Sequence, residues 1–318
     1  MIHKTLSRAA RSMNIPSVNV LLFSFFWALQ IFTFKLSLNA GIRALPLQIV
    51  ALLVALVFIW CLSAVKTGRE FVYLVSRQPL VFWELFIANA LQAGFGTSLS
   101  IIGIALTETI NAGFLVKLAT VSTTLFAWWM LGEKVTWRKS LLLLSMLAGA
   151  YLLTTKGQNL YPRTGDLFIL GACVFWSLGN VLVRKVLRAR PVSADVVTLQ
   201  KPLAGLMVFL VLLTLTVLTP GIFGGLIEYL DLQPLTLPQF LYSLAGGVCL
   251  AATWYYLNRT LKVASASYMT MMSMSTPVFV TLLAMVFLGE VMLPIQALGA
   301  GMILLAGVAT YFSDIAEQ

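Results

Sequence analysis

The sequence predicts an all-α integral membrane protein of ten transmembrane helices, arranged as two inverted five-helix repeats. Three observations predict it. Hydrophobic residues make up 60% of the 318 residues and charged ones only 10%, which is more apolar surface than one aqueous globule can bury. The apolar residues gather into ten stretches near the length of roughly 20 residues that crosses a bilayer. Two short patterns in the first half return in the second in the same order, as expected of a duplicated carrier-like architecture.

The spans fall at 17–39, 46–65, 80–106, 109–131 and 140–155, then at 166–187, 194–218, 239–261, 265–288 and 295–312. Residues 1–16 form a basic leader, the first repeat occupies 17–155 and the second 164–313. The apolar stretch after the leader is too long for a signal peptide and lacks a small-residue cleavage site, so it is expected to remain as the first span. The Gly- and Pro-rich stretch 220–237 reads as an extra loop of the second half.

Ten crossings return both termini to one side. Fifteen of the 21 lysines and arginines then lie on that side, in clusters such as Lys4, Arg8 and Arg11, Lys66, Arg69 and Arg77, and Arg184, Lys185, Arg188 and Arg190. Only Arg43, Lys156 and Arg163 lie opposite, while Lys35, Lys117 and Lys201 fall within spans. The positive-inside rule therefore makes both termini cytoplasmic. Because the basic residues form short clusters and no continuous face, the net charge of +10 speaks for membrane topology and against nucleic acid.

Catalytic and metal chemistry find little support. Cys61, Cys173 and Cys249 sit singly in apolar runs and His3 lies in the leader, so neither a metal site nor a cofactor is expected. The sequence holds no GxSxG elbow, HExxH helix, paired intramembrane aspartates or Walker loop, which argues against an enzyme. Uphill transport would then draw on a proton or a counter-solute.

The recurring patterns are Phe26-Trp27-Ala28-Leu29 followed by Lys35, matched by Phe175-Trp176-Ser177-Leu178 followed by Arg184, and Leu131-Gly132-Glu133, matched by Leu288-Gly289-Glu290. Five spans per repeat is an odd number, so the second repeat must enter the membrane upside down. At these residues the chain resembles the EamA-type branch of the drug/metabolite transporter superfamily, and the resemblance covers nearly the whole chain. It implies a secondary transporter, often an exporter, in a bacterial inner (plasma) membrane. Its cavity would be lined by the first, third and fourth helices of each repeat, with small residues packing the fifth helices. Pro277 sits twelve residues before Gly289, as the family usually has it, whereas the first repeat has Thr120 there. That departure leaves the kink of the first half without its proline.

Intramembrane charge points to the candidate site, because an ion in hydrocarbon costs at least about 2.5 kcal/mol. Lys117 lies roughly 12 Å deep at 1.5 Å per residue, on a face with Gly113, Thr120 and Thr124. The repeat pairs these positions with Met274, Thr270, Pro277 and Thr281, so the fold accepts methionine where the first half has lysine. Lys117 is either a substrate or proton-coupling group or a lysine bonded to neighbouring helices. Lys201, beside Pro202, either lines the cavity or snorkels to the surface, and Lys35 is expected to snorkel. No Asp or Glu is placed near the midplane, which favours a substrate with an anionic group such as a carboxylate or phosphate.

Softer signals surround these charges. Asn89, Gln92, Gly96 and Ser100 share one face of the third span, and Trp27 with Gln30 and Trp176 with Asn180 are close neighbours; cavity lining and interhelical bonding both fit them. Trp254, Tyr255, Tyr256 and Asn258 read as an interfacial aromatic belt, with a tyrosine such as Tyr256 able to face the cavity. Met269, Met271, Met272 and Met274 read as core packing or an adaptable apolar wall. Glu133 and Glu290 are expected to receive hydrogen bonds from a neighbouring helix terminus. Glycines and alanines on the fifth and tenth spans permit close packing within the chain or a homodimer seam. The leading functional expectation is alternating access for a small anionic metabolite. A non-transporting scaffold and a carrier of neutral or cationic amphiphiles are the alternatives.

Overall fold

Hydrocarbon offers no hydrogen bonds to the backbone, so a chain this apolar must close its amides and carbonyls within helices. The computed structural model describes residues 16–63, 65–218 and 235–317. The basic leader through residue 15 and residues 219–234, which hold most of the expected loop, lie outside them.

Among the described residues eleven helices follow one another. The first repeat contains α1 (Pro16–Asn39), α2 (Ala44–Leu62), a short α3 (Val65–Arg77) and a composite α4 built from Pro79–Asn89, a π-helical turn Ala90–Gly96 and Thr97–Leu106. It continues with α5 (Thr109–Leu115, the 3-10 turn Val116–Leu118, then Ala119–Leu131) and α6 (Trp137–Thr155). The second repeat contains α7 (Thr164–Ala189), α8 (Ala194–Leu218), α9 (Leu237–Val263), α10 (Ala266–Met272, the 3-10 turn Ser273–Ser275, then Thr276–Leu288) and α11 (Pro294–Glu317).

Among the described residues, nine helices are long and apolar enough to cross a membrane by length and composition. The tenth, α6, opens on Arg138, Lys139 and Ser140, which dilute its hydropathy, yet it packs along α11. The fold is therefore the expected all-helical one of two five-helix repeats. The expected span 46–65 and the loop after it are corrected: α2 stops at Leu62, and the residues counted as a basic loop coil into α3. At thirteen residues α3 is too short to cross a bilayer.

The repeats interlock. Helix α1 packs chiefly against α9 and α10, and α7 packs against α4 and α5. Both Leu-Gly-Glu patterns end their helices in the same way. Gly132 and Gly289 take left-handed conformations, with φ of 66° and 67°, and the following amides of Glu133 and Glu290 reach back to the carbonyls of Ala127 and Ala284. Glycine accepts this conformation without a Cβ clash, and the turn then throws each glutamate sideways off the helix end.

Helices α6 and α11 meet through glycine. A Cβ on Gly149 would stand 2.6 Å from the carbonyl oxygen of Gly299, and one on Gly299 would stand 2.5 Å from that of Gly149. Two backbones thus touch where side chains would hold them apart, and this part of the small-residue stripe is used within one chain. Gly301, by contrast, has nothing within 4 Å of its Cβ position. Gly299→Val is expected to destabilise the protein by about 1–3 kcal/mol, read as a lowered melting temperature in detergent, whereas Gly301→Ala should leave it unchanged.

Candidate functional site

The two helices that break in mid-span bring the candidate residues together. In α5, seven helical residues precede the 3-10 turn Val116–Leu118 and thirteen follow it; α10 has the same seven, a turn at Ser273–Ser275, and thirteen. The first-half kink therefore exists without the family proline, while Pro277 lies buried directly after the turn in α10. Carbonyls loosened by a break must find donors. Around α5 they come from α7: the Cys173 thiol donates to the carbonyl of Leu115 (3.4 Å) and the Ser177 hydroxyl to that of Ala119 (2.9 Å). Around α10 the helix supplies its own, as Ser273, Ser275 and Thr276 each donate to a carbonyl three residues earlier.

Lys117 sits inside the α5 turn and keeps only 8% of its surface accessible. Its Nζ stands 5.0 Å from the centre of the Trp27 ring on α1, and among the described residues it makes no hydrogen bond or ion pair. Trp27 faces it with the negative side of an aromatic quadrupole, which attracts a cation without neutralising it. Two residues of the same helix approach α10. The Thr120 hydroxyl donates to the Thr270 carbonyl and the Met274 sulfur, each at 3.4 Å, while Thr124 turns back to the Thr120 carbonyl at 2.8 Å. Met274 is 1% exposed and belongs to the core together with Met269, Met271 and Met272.

A second pair joins the repeats nearby. The Gln92 side-chain amide donates to Asn180 Oδ1 at 2.6 Å, linking α4 to α7. Trp176 packs where Gly96 leaves room: a Cβ there would lie 2.6 Å from the indole Cδ1. On α1, Gln30 has its Oε1 buried without a partner. Tyr256 stacks on Phe26, with ring centres 5.7 Å apart and planes at 10°, so it fills the α1–α9 seam.

Other expected members belong elsewhere. The π-helical turn of α4 rotates its polar face, so that Asn89 leaves Gln92 and donates to Gln200 of α8 (3.1 Å), which in turn donates to the Phe82 carbonyl. Asn258 donates to Thr198 (3.0 Å) and Trp254 is buried; for these two the expected interfacial belt is corrected, because both face α8 and not the membrane surface. Lys201 is 0% exposed, stands 5.9 Å from the Trp254 ring, and has no hydrogen-bond partner. Snorkelling is thereby overturned. Gln200 and Thr198 go unremarked in the sequence, and Cys173 and Ser177 read there only as a buried cysteine and as part of a repeated pattern; the i, i+4 spacing of these two is the one signal that could have found the pair that seats the α5 break.

The two pattern glutamates part company. Glu133 accepts from the amides of Ala266 (2.8 Å) and Ser267 (3.1 Å) and from the Ser267 hydroxyl (2.5 Å), capping the start of α10 as expected. Arg184 adds its charge near Glu133 while donating to the carbonyls of Leu261 and Lys262 at 2.8 Å. Glu290 departs from the expectation: it pairs with exposed Lys35 at 3.4 Å and caps no helix among the described residues.

The family model for EamA-like transporters matches residues 15–155 and again residues 163–312. The chain belongs to the EamA-like transporter family. A solved structure described only as "Crystal structure of protein" is similar to it in fold, with a TM-score of 0.75 at 16% identity, covering 95% of this chain and 98% of that one. No curated protein matches it. As an EamA-like protein it is a multi-pass membrane transporter of small molecules, and that family is not one of enzymes.

Lys201 offers a test of how its seam is built. A buried ammonium without an acceptor carries its desolvation cost uncompensated, and methionine has similar length. Lys201→Met is expected to raise stability by about 1–3 kcal/mol, measured as a higher melting temperature in detergent. A large loss would instead mean that the ammonium is paired in the folded protein.

Proposed function

We propose that this EamA-like transporter is a secondary carrier that moves a small metabolite bearing a carboxylate or phosphate, and that Lys117 is the group that holds the anion. The observation that carries the proposal is the Lys117 ammonium itself: mid-span, between the repeats, beside Trp27, and with no acidic partner among the described residues. An unpaired cation in a low-dielectric setting attracts anions strongly, since it gains their Coulomb energy without first losing another partner. Thr120, Thr124, Met274, Trp27, Gln30 and the Gln92–Asn180 pair would orient the rest of the solute, with Trp176 behind them. Met274 in place of a second lysine supports a single anionic contact. Lys201 and Asn89 are assigned to the α4–α8–α9 seam and Tyr256 to the α1–α9 seam.

Transport would proceed by rocking one repeat against the other, with a proton or counter-solute as the coupling species. The unequal glutamates support a reading of the state seen here. On the face carrying the described termini, which the basic clusters mark as cytoplasmic, Glu133 latches α5 to α10. On the opposite face, the symmetry-related α5 start and α10 end pack only weakly. This favours a carrier closed at the terminal face. In the alternate state Glu290 would exchange Lys35 for the amides of Thr109 and Ile110, and Glu133 would let go. Pro277 and the paired 3-10 turns would be the pivots. Efflux from the cytoplasm is the direction this family resemblance favours.

Two experiments test these readings. Anionic metabolites screened by thermal stabilisation should include one that stabilises by about 2.7 kcal/mol at a hundredfold excess over its Kd. Lys117→Met should then lower its liposome flux and affinity at least tenfold without lowering the melting temperature, since it too removes an unpaired buried ammonium; undiminished flux sinks the anion site. Separately, spin labels on Lys134→Cys and Val263→Cys, with the native cysteines replaced, should separate in a Glu133→Gln background. An unchanged distance distribution would remove the latch from the cycle.

A further inference from the structure

Helix α3 lies outside everything the transport reading uses. At 100° per residue, Leu74, Thr67, Phe71, Val75, Val72 and Val65 occupy one half of its circumference, and Arg69, Tyr73, Lys66, Arg77 and Glu70 the other. Only part of the apolar half meets protein. Thr67 and Leu74 are buried and Phe71 packs edge-on against Phe82 of α4 at 5.7 Å, whereas Val65, Val72 and Val75 are 73%, 64% and 46% exposed. An amphipathic helix so placed, joined directly to a span, lies in the plane of the interface with its free apolar side in the acyl boundary.

Beneath that free side runs a groove of about 510 Å³ between α2, α3 and α8. Trp60, Val65, Val72 and Leu199 form its apolar walls, and Ser63 and Arg69 stand at its polar edge. Gly68 also lines it, and a Cβ there would meet nothing within 4 Å. The polar half of α3 carries three cations, Lys66, Arg69 and Arg77, that form no ion pair among the described residues. Its one acid, Glu70, is turned inward and accepts from the Ser193 amide at 2.7 Å. The helix therefore offers the headgroup layer an unbalanced positive edge directly above an apolar slot.

We propose that this groove is a phospholipid site selective for anionic headgroups, with Arg69 on the phosphate and an acyl chain between Trp60, Val65, Val72 and Leu199. A diacyl lipid fits both halves of the chemistry at once. A soluble anion would use only Arg69, and a partner protein would leave the slot facing acyl chains regardless. Near a membrane surface each lysine or arginine strengthens attraction to anionic lipid by about fivefold.

Full-length protein in neutral detergent, offered phosphatidylglycerol and phosphatidylcholine of identical acyl chains, decides the matter by native mass spectrometry and melting temperature. Phosphatidylglycerol is expected to be retained at least fivefold better and to raise the melting temperature more. Arg69→Gln should reduce that preference about fivefold. Gly68→Leu, which has room to fold, should fill the groove and displace both lipids. Equal retention of the two lipids by the unaltered protein, an undiminished preference in Arg69→Gln, unimpaired binding in Gly68→Leu, or displacement of the lipid by soluble glycerol phosphate would each overturn the assignment. None of these readouts depends on solute flux, so failure here is distinct from failure of the Lys117 site.

Discussion

Helix breaks inside hydrocarbon are possible only where other groups take over the hydrogen bonds that the helix gives up. Two such breaks, in α5 and α10, set the interior of this transporter. Each solves the problem with different chemistry. In α10 the serines and threonine of the turn bond to their own helix, so the break is self-contained and its neighbours are free to be methionine. In α5 the donors are borrowed from Cys173 and Ser177 of α7, which ties the break of one repeat to the first helix of the other. Lys117 lies inside the borrowed break. Its position is therefore fixed by both repeats together.

The same duplication leaves the two faces chemically unlike. Identical Leu-Gly-Glu turns present a carboxylate from α5 and from α10, yet what each meets is set by the first residues of the opposing helix. Ser265, Ala266 and Ser267 give Glu133 two free amides and a hydroxyl. At the corresponding place before α5 stands Glu108, a like charge, held aside by Arg163 at 2.7 Å. A carboxylate at that terminus would have Glu108 beside it, so the start of α5 is a poorer partner for Glu290 than the start of α10 is for Glu133. Matched helix lengths thus coexist with unlike chemistry at the two ends.

Much of the fold was legible because membrane spans announce themselves by length and apolarity, and because the two patterns repeat with their order intact. What escaped was whatever depends on packing between spans. The π-helical turn of α4 separates Asn89 from Gln92 although a regular helix would keep them on one face, and no local residue choice signals it. Helix α3 escaped because its periodicity was hidden inside a count of positive charges. Trp254 and Asn258 were placed at the interface by depth from the helix end, but α8 covers them, and coverage is a tertiary property. The missing proline at Thr120 misled in the other direction: the break survives because α7 supplies donors, which a single-helix reading cannot see.

The two deep lysines show why depth alone cannot assign a role. Both rest near a tryptophan, at 5.0 Å for Lys117 and 5.9 Å for Lys201, and both lie well inside their spans. They differ in access and in the helices around them. Lys201 is fully covered, near Trp254 of α9 and on a helix, α8, that also packs against α2 and α4 of the first repeat. Lys117 retains a little accessible surface, faces Trp27 of α1 in its own repeat and sits in a turn that packs against α7 of the other. A charge can couple binding to movement only if a solute can reach it when the protein moves; both lysines lie where the repeats meet, and the proposed role falls to Lys117 because it alone of the two keeps accessible surface.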